Sequence, residues 1–350
     1  MRNDYLWDRR GQPDPEVRRL EQLLGTLRHA PPAGFGPSRL PAAVESPALA
    51  SRANRPGRLV MLAIAATLVA AIGAGWILVS SVGPRPAWQV SSLEGAPTIA
   101  SKDIGGSGRL PVGEWLETDG TARARITAGS IGRVDVDPHS RIRLSSARAG
   151  NYRLRLVRGT MHAIIWAPPG QFFVDTPSST AVDLGCAYTL RVADDGSGIV
   201  EVTSGWVGFE WRGRESFIPA GAVCATRPGI GPGTPHYASV SPAFREDLMT
   251  LDFEQAAPPE RARALAGILA DARPGDAVTL WHLLQRVEAG DRDRVFDRLA
   301  AFVPPPDGVT RDGVRAGRRD MLDRWWDELG LGSMRLWRGW KQGWRDERER

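Results

Sequence analysis

The sequence predicts a multidomain membrane protein with a single transmembrane α-helix, an exported all-β domain and a C-terminal α-helical region. Three observations predict these parts: a long apolar stretch near the N-terminus, apolar residues at every second position in the middle of the chain, and a helical period after about residue 245. Of the 350 residues, 42% are hydrophobic and 24% charged, so the chain can bury a core. This composition excludes collagen-like, fully disordered and disulfide-dense classes.

Residues 59–80 are the predicted transmembrane helix. The first 21 of these positions carry no charge, and a helix of that length spans ~30 Å, enough to cross the hydrocarbon core of a bilayer. A buried core helix is the alternative, but such helices usually carry a polar stripe, which is missing here.

Arginines on either side of the span predict its orientation. They are Arg52, Arg55 and Arg58 before it and Arg85 after it. By the positive-inside rule, residues 1–58 are cytoplasmic and the remainder of the chain is exported.

The cytoplasmic part contains one predicted helix, within a stub at residues 1–29. Four apolar residues share one face of this helix: Val17, Leu20, Leu24 and Leu27. Because a short isolated helix is only marginally stable in water, this face needs a partner or packs on the apolar residues at positions 5–7. Residues 30–58 contain six prolines and predict an extended juxtamembrane linker.

Residues 85–235 are predicted to form the all-β domain. Runs such as Arg133–Val136 and Arg141–Leu144 alternate apolar and polar side chains, as strands with one buried face do. Turn signals such as Asp137-Pro138 and Asp195-Gly196 separate the runs. A meander or a solenoid-like winding would fit this pattern.

Two regions follow the predicted β domain. Residues 245–333 show four apolar stripes at helical spacing and predict a small α-helical domain. Residues 334–350 form a basic, tryptophan-rich amphipathic tail, with Trp337, Trp340 and Trp344 near one face. Such a helix can lie on an anionic membrane or in a partner's groove, or pack its tryptophans on its own domain.

The sequence lacks the common catalytic and metal-binding motifs. It has no nucleophile elbow, P-loop, H-E-x-x-H or C-x-x-C pattern, and its five histidines form no helical pair. Asp135 and Asp137 are conceivable as an acid and base pair on one strand face, but Pro138 makes Asp137 a turn residue. We therefore predict no enzyme activity, no cofactor and no metal. The diffuse net charge of +5 predicts no direct nucleic-acid contact.

The two cysteines, Cys186 and Cys224, lie in the predicted exported domain. In an oxidising compartment such thiols tend to pair, and a disulfide here would stabilise the fold by roughly 3 to 4 kcal/mol. The sequence favours this disulfide, with two buried free thiols as the alternative.

Several segments of the β region together resemble the FecR domain. They are Phe173–Pro177, Thr180–Gly185 followed by Tyr188, the hairpin Val200–Val207 and the turn Ile218–Gly221. The motif positions are Thr176, Ala181, Gly185, Gly205, Ala220 and Gly221. Cys186 stands where the family usually has threonine, and residues 245–350 read as helical where iron-uptake members carry a small α/β module.

The resemblance implies a single-pass regulator of the bacterial inner membrane, similar to transmembrane anti-sigma factors. Its cytoplasmic stub would bind an extracytoplasmic-function sigma factor through Val17, Leu20, Leu24 and Leu27, and its periplasmic β domain would receive a signal from a periplasmic or outer-membrane partner. A non-catalytic scaffold that holds cell-envelope polymer or a partner protein is the alternative.

Overall fold

The computed structural model describes residues 86–335, 337–339 and 341. The predicted stub, linker and span, and the tail residues Trp340 and Trp344, lie outside these residues. Within the described residues, no helix has the length and apolar character needed to cross a bilayer.

Strands occupy the described chain from Ala87 to Tyr237, and the prediction of an all-β region is confirmed. The strands are β1 (Ala87–Glu94), β2 (Thr98–Ile99), β3 (Lys102–Asp103), β4 (Ser107–Pro111), β5 (Trp115–Glu117), β6 (Arg123–Thr127), β7 (Gly132–Val136), β8 (Arg141–Arg148), β9 (Asn151–Ile165), β10 (Phe172–Asp175), β11 (Thr180–Asp183), β12 (Ala187–Val192), β13 (Gly198–Ser204), β14 (Trp206–Trp211), β15 (Arg214–Pro219), β16 (Ala222–Arg227), β17 (Gly231–Pro232) and β18 (His236–Tyr237).

The strands form two sheets. Sheet A has the order β4-β1-β6-β7-β9-β12-β13-β16, with β17 and β18 both paired to β16. Sheet B has the order β3-β2-β5-β8-β9-β10-β11-β14-β15. Among these pairings, β9 with β10 is parallel and the others are antiparallel.

The long strand β9 belongs to both sheets, and the buried apolar side chains of the two sheets form one cluster, so the domain is a β-sandwich. Its first half pairs with β8 and β10, and from Gly159 onward it pairs with β7 and β12. The expectation of a meander or solenoid is therefore corrected. Alternation specifies which face of a strand is buried, but not which distant strand lies beside it.

The core of the sandwich lies between the two sheets. Every second residue of the alternating runs points into it, such as Val134 and Val136 from sheet A and Ile142 and Leu144 from sheet B, each at most 1% exposed. Burial of these side chains is the main stabilising contribution to the domain.

Helices occupy the chain after Pro242. They are α1 (Pro242–Phe253), α2 (Pro258–Asp271), a 3₁₀ turn (Pro274–Asp276), α3 (Ala277–Leu283), α4 (Ala289–Phe302), α5 (Arg311–Arg315) and α6 (Arg319–Glu328). Of residues 334–341 the structure describes 334, 335, 337–339 and 341, which are all helical, and we call these residues the C-terminal segment. The hydroxyl of Ser241 caps α1 by accepting from the Phe244 N–H at 3.0 Å.

The helices pack on the outer face of sheet B. Their apolar cluster includes Phe173, Val182 and Phe217, which lie on β10, β11 and β15. This contact places the second core of the molecule outside the sandwich.

Candidate functional site

Thr176 organises the turn between β10 and β11. Its hydroxyl accepts from the Ser179 N–H at 3.0 Å and donates to the Ser179 carbonyl oxygen at 2.9 Å. Ala181, in the strand that follows, is buried and lies opposite Val174 and Phe209. These two motif positions therefore shape a hairpin.

Three turns of the motif meet at one end of the sandwich. Gly205 has φ +69°, and a Cβ there would overlap the Gly185 carbonyl oxygen. The Ala220 N–H donates to the Gly205 carbonyl oxygen at 3.0 Å, and the Gly221 N–H donates to Val202 at 2.7 Å. The four motif positions from Gly185 onward are thus brought together, and close backbone approach accounts for glycine at 205.

A buried acidic group lies beside this junction. The Cys186 Sγ–H donates to the Asp183 Oδ2 at 2.6 Å, and the Gly185 N–H donates to the Oδ1 at 2.7 Å. Asp183 is only 2% exposed. Burial raises the pKa of Asp183 to about 7, against the opposing effect of its hydrogen bonds.

An aromatic cluster joins sheet B to the helices. The Phe217 ring lies 4.8 to 6.3 Å, centroid to centroid, from the rings of Trp281, Trp326 and Trp337. A cavity of about 140 Å³ adjoins it, lined mainly by apolar side chains that include Leu184, Trp206 and Met334.

His282 links the backbone of β15 to α3 within this cluster. Its Nε2 accepts from the Phe217 N–H at 3.0 Å, so we place the ring proton on Nδ1, which donates to the Val278 carbonyl oxygen at 2.7 Å. Burial, with a smaller contribution from Arg286, holds the pKa of His282 well below its usual value. The ring is therefore neutral and acts as a fixed structural bridge.

A buried ion pair lies beside His282. The Arg214 Nη2 donates to the Asp252 Oδ1 at 2.7 Å, and the Arg286 Nη1 lies 3.5 Å from the same oxygen. Arg286 also donates to the Ser216 hydroxyl at 2.7 Å and the Thr234 hydroxyl at 2.5 Å. Burial lowers the pKa of Arg286 to about 10, opposed by the Asp252 charge, so the guanidinium stays protonated at neutral pH.

Comparison with known proteins identifies part of the sandwich. Residues 115–208 match the sequence model of the family described as FecR protein. The chain carries a FecR domain.

Two solved structures are similar to this chain. Both are of a candidate anti-sigma factor from Parabacteroides distasonis ATCC 8503. The first, at 1.65 Å resolution, is 12% identical, covers 45% of this chain and 74% of its own, and has a TM-score of 0.31. The second, at 2.50 Å resolution, is 11% identical, covers 44% of this chain and 73% of its own, and has the same TM-score of 0.31. Among curated proteins, none matches the chain significantly.

The C-terminal segment packs on β14 and β15 of sheet B. Trp337 is 2% exposed and lies over Gly208, where a Cβ would overlap the indole ring. The carboxylate of Glu215 accepts from Trp337 Nε1 at 3.3 Å, from Arg338 Nη1 at 2.5 Å and from Lys341 Nζ. Burial would raise the pKa of Glu215, but the charges of Arg338 and Lys341 outweigh it and the pKa is lowered.

This packing decides between the two interpretations of the tail for one of its residues. Trp337 is buried against its own protein, which is the second of the two expected arrangements, so its indole is not exposed to a membrane or partner. The reason is that Glu215 and Gly208, distant in sequence, supply an acceptor for the indole N–H and, at a residue without a side chain, the space for its ring.

The predicted disulfide is absent, because Cys186 and Cys224 are both free and buried. Cys224 lies opposite Val200, which lies opposite Leu190, four residues beyond Cys186. At about 3.3 Å per residue the cysteines are offset by about 13 Å along the strands, too far for a disulfide. The Cys224 thiol donates instead to the Gly233 carbonyl oxygen at 3.2 Å, and burial raises its pKa to about 12.

Asp135 and Asp137 are each bonded to an arginine on the outer face of sheet A. Arg125 Nε donates to Asp135 at 2.6 Å, and Arg123 Nη2 donates to Asp137 at 2.7 Å. The hydrogen bond from Arg125 lowers the pKa of Asp135 against the opposing effect of burial. Burial would raise the pKa of Asp137, but its hydrogen bonds with His162 and Arg123 together outweigh burial and the pKa is lowered. The two carboxylates therefore do not form an acid and base pair with separated pKa values.

His162 connects Asp137 to a hydroxyl, with Nε2 2.8 Å from Asp137 and Nδ1 2.9 Å from the Thr189 Oγ1. Thr189 lies in the middle of β12, whose backbone pairs on both sides, so this described strand has no free N–H group beside Thr189 to stabilise an oxyanion. Within the described residues, no cluster of three or more His, Cys, Asp or Glu could hold a metal ion.

Sequence reasoning missed the residues that fasten the helices to sheet B. Asp252, Arg286, His282 and Glu215 have no motif around them, and their partners lie far away in the chain. The one sequence signal was that His282 lies within the apolar stripe of α3 and that Arg286 follows this stripe closely.

Proposed function

We propose that this chain is a single-pass inner-membrane regulator that controls a sigma factor. The observation that carries the proposal is the FecR domain at residues 115–208, in a β-sandwich that begins a few residues after the predicted span. The sandwich receives the signal in the periplasm, and the cytoplasmic residues 1–58 hold an extracytoplasmic-function sigma factor.

The physical basis of transmission is a difference in affinity between two states. A tethered amphipathic helix can sequester a soluble partner through Val17, Leu20, Leu24 and Leu27. A signal that changes the exported domain, or leads to its cleavage, alters how this helix is presented. The sandwich, with its ion pairs and turns, offers no assembled catalytic centre in the described residues, which favours a regulator over an enzyme.

The test is a binding assay of the full chain in uncharged detergent against each sigma factor of the source bacterium. We expect one sigma factor to bind, and Leu20→Glu with Leu24→Glu to reduce its affinity at least about tenfold. Arg18→Gln with Gln22→Glu is the matched control, because it changes the net charge by the same amount on the opposite helix face.

Failure of every sigma factor to bind would overturn the proposal and favour the scaffold alternative. Equal loss of affinity in the two double variants would show that charge, and not the apolar face, governs binding.

A further inference from the structure

Part of the outer face of sheet B is unusually rich in arginine. We call Arg141, Arg143, Arg155 and Arg158 the arginine face. In the antiparallel pair of β8 and β9, Arg143 lies directly opposite Arg155, and Arg141 directly opposite Arg158. Like charges in directly opposed positions are destabilising. An anionic partner would remove this repulsion.

Few acidic groups of the protein balance this charge. Glu117 lies 3.2 Å from Arg141, and Asp175 is bonded to Arg153 and Thr180. In the described part of the chain, Arg155 and Arg158 are exposed and have no carboxylate within ion-pair distance. The arginine face therefore has uncompensated positive charge that is open to solvent.

An indole holds two of the guanidinium groups in place. The Arg141 and Arg143 guanidinium carbons lie 4.3 and 5.7 Å from the Trp115 ring centroid. Cation–π contacts of this kind restrict arginine side chains while leaving their N–H groups available. Pre-ordered guanidinium groups lose less entropy when they bind phosphate.

The arginine face adjoins the point at which the chain enters the sandwich. The Pro86 carbonyl oxygen accepts from the Val112 N–H at 2.9 Å, and the next residue, Gly113, accepts from Arg143 Nε at 2.9 Å. Pro86 follows Val79, near the predicted end of the span, by seven residues. Even fully extended, this connection covers only about 25 Å.

We propose that the arginine face binds the anionic phospholipid headgroups of the membrane in which the chain is anchored. Short tethering keeps the face within reach of the bilayer surface, and basic groups close to such a surface are attracted to it. The helices cover the other half of the outer face of sheet B. The arginine face is therefore the half that stays open to a partner. Like the proposed function, this inference requires the predicted transmembrane span, but it does not require sigma-factor binding.

The test uses the full chain in uncharged detergent, titrated calorimetrically with dihexanoyl phosphatidylglycerol or, as the neutral lipid, dihexanoyl phosphatidylcholine. We expect the anionic lipid to bind at least about tenfold more tightly. Arg155→Gln with Arg158→Gln should reduce that affinity about tenfold.

Arg133→Gln with Arg191→Gln is the matched control. These two arginines are also exposed, lie on strands of sheet A, and form no ion pair among the described residues, although the charge of Arg133 acts on Asp135. We expect this variant to keep its lipid affinity within about twofold. Neither double variant should lower the midpoint of thermal unfolding, since neither breaks an ion pair.

Three results would overturn the inference. One is equal lipid affinity in wild type and in the arginine-face variant. Another is binding of glycerol 1-phosphate as tight as that of the lipid, which would indicate a site for a free phosphate. The third is tighter binding of soluble polyglutamate, which would indicate an acidic polypeptide. Sigma-factor binding by the same variant should be unchanged, so the two proposals can fail separately.

Discussion

The core between the two sheets and the interface between sheet B and the helices are built differently. The first is filled by alternating aliphatic side chains, such as Val134 and Ile142. The second combines aromatic rings with buried charged groups, including the Asp252–Arg286 pair and Glu215 with Arg338. The sandwich core therefore tolerates apolar substitutions that keep the side-chain volume, whereas the interface depends on particular charged partners.

The largest expected effect is the loss of Arg286. Arg286→Ala leaves Asp252 buried with one cation fewer and removes the guanidinium donor to each of the Ser216 and Thr234 hydroxyls. We expect it to lower the free energy of unfolding by about 4 kcal/mol. Denaturant unfolding of the detergent-solubilised chain measures this.

The control is Arg294→Ala, which removes the exposed pair of Arg294 with Asp291. It should cost less than about 1 kcal/mol. Similar losses in the two variants would contradict the account of the interface.

Substitution of Gly205 tests how tightly the three motif turns of the sandwich pack at their junction. Gly205→Ala combines a positive φ with overlap on the Gly185 carbonyl oxygen, and we expect a loss of about 3 kcal/mol. Gly221→Ala has a similar φ of +80° but only ordinary contacts with Tyr237, so it should lose about 1 kcal/mol. The difference between the two unfolding free energies isolates the steric overlap, and equal losses would show that the junction is not tightly packed.

The raised pKa of Asp183 predicts that the stability of the folded chain depends on pH. Its pKa is raised from 3.8 to about 7 in the folded chain, so the folded state binds more protons than the unfolded state between these values. Stability from this group therefore falls as pH rises through about 7 and is regained as pH falls. His282 and His236, whose pKa values are lowered, act in the opposite sense below about pH 6.5. The contribution of Asp183, about 2 kcal/mol between about pH 8 and about pH 5.5, is therefore measured as the difference between the wild-type chain and Asp183→Asn.

Asp183→Asn should remove this contribution, because the amide does not titrate. Below about pH 4.5 the lowered pKa of Glu215 acts in the opposite sense, so the comparison is made above that value. An unchanged pH profile in the variant would show that Asp183 is not the responsible group.

The smallest expected effect is on the surface of sheet A. Arg125→Gln with Asp135→Asn removes a partly exposed ion pair, with side chains 37% and 28% exposed. The expected loss of unfolding free energy is below about 1 kcal/mol and decreases with added salt. A loss as large as that of Arg286→Ala would abolish the distinction between the two regions.

The same comparison explains how much could be predicted from the sequence. Period-two alternation located strands such as β7 and β8, because it depends on residues two apart in the chain. The shared strand β9, the separation of Cys186 from Cys224 and the contact of Trp337 with Glu215 depend on which distant segments lie together. Those juxtapositions arise from the combined packing of both cores, which no local pattern encodes.

The most direct test of the central claim is the membrane topology of the chain. Alkaline phosphatase, which needs an oxidising compartment to form its disulfides, is fused after residue 58 or after residue 350. The account predicts activity only for the fusion after residue 350, with the full chain extracted from membranes only by detergent. Activity for the fusion after residue 58, or an inactive fusion after residue 350 in a chain recovered without detergent, would contradict it.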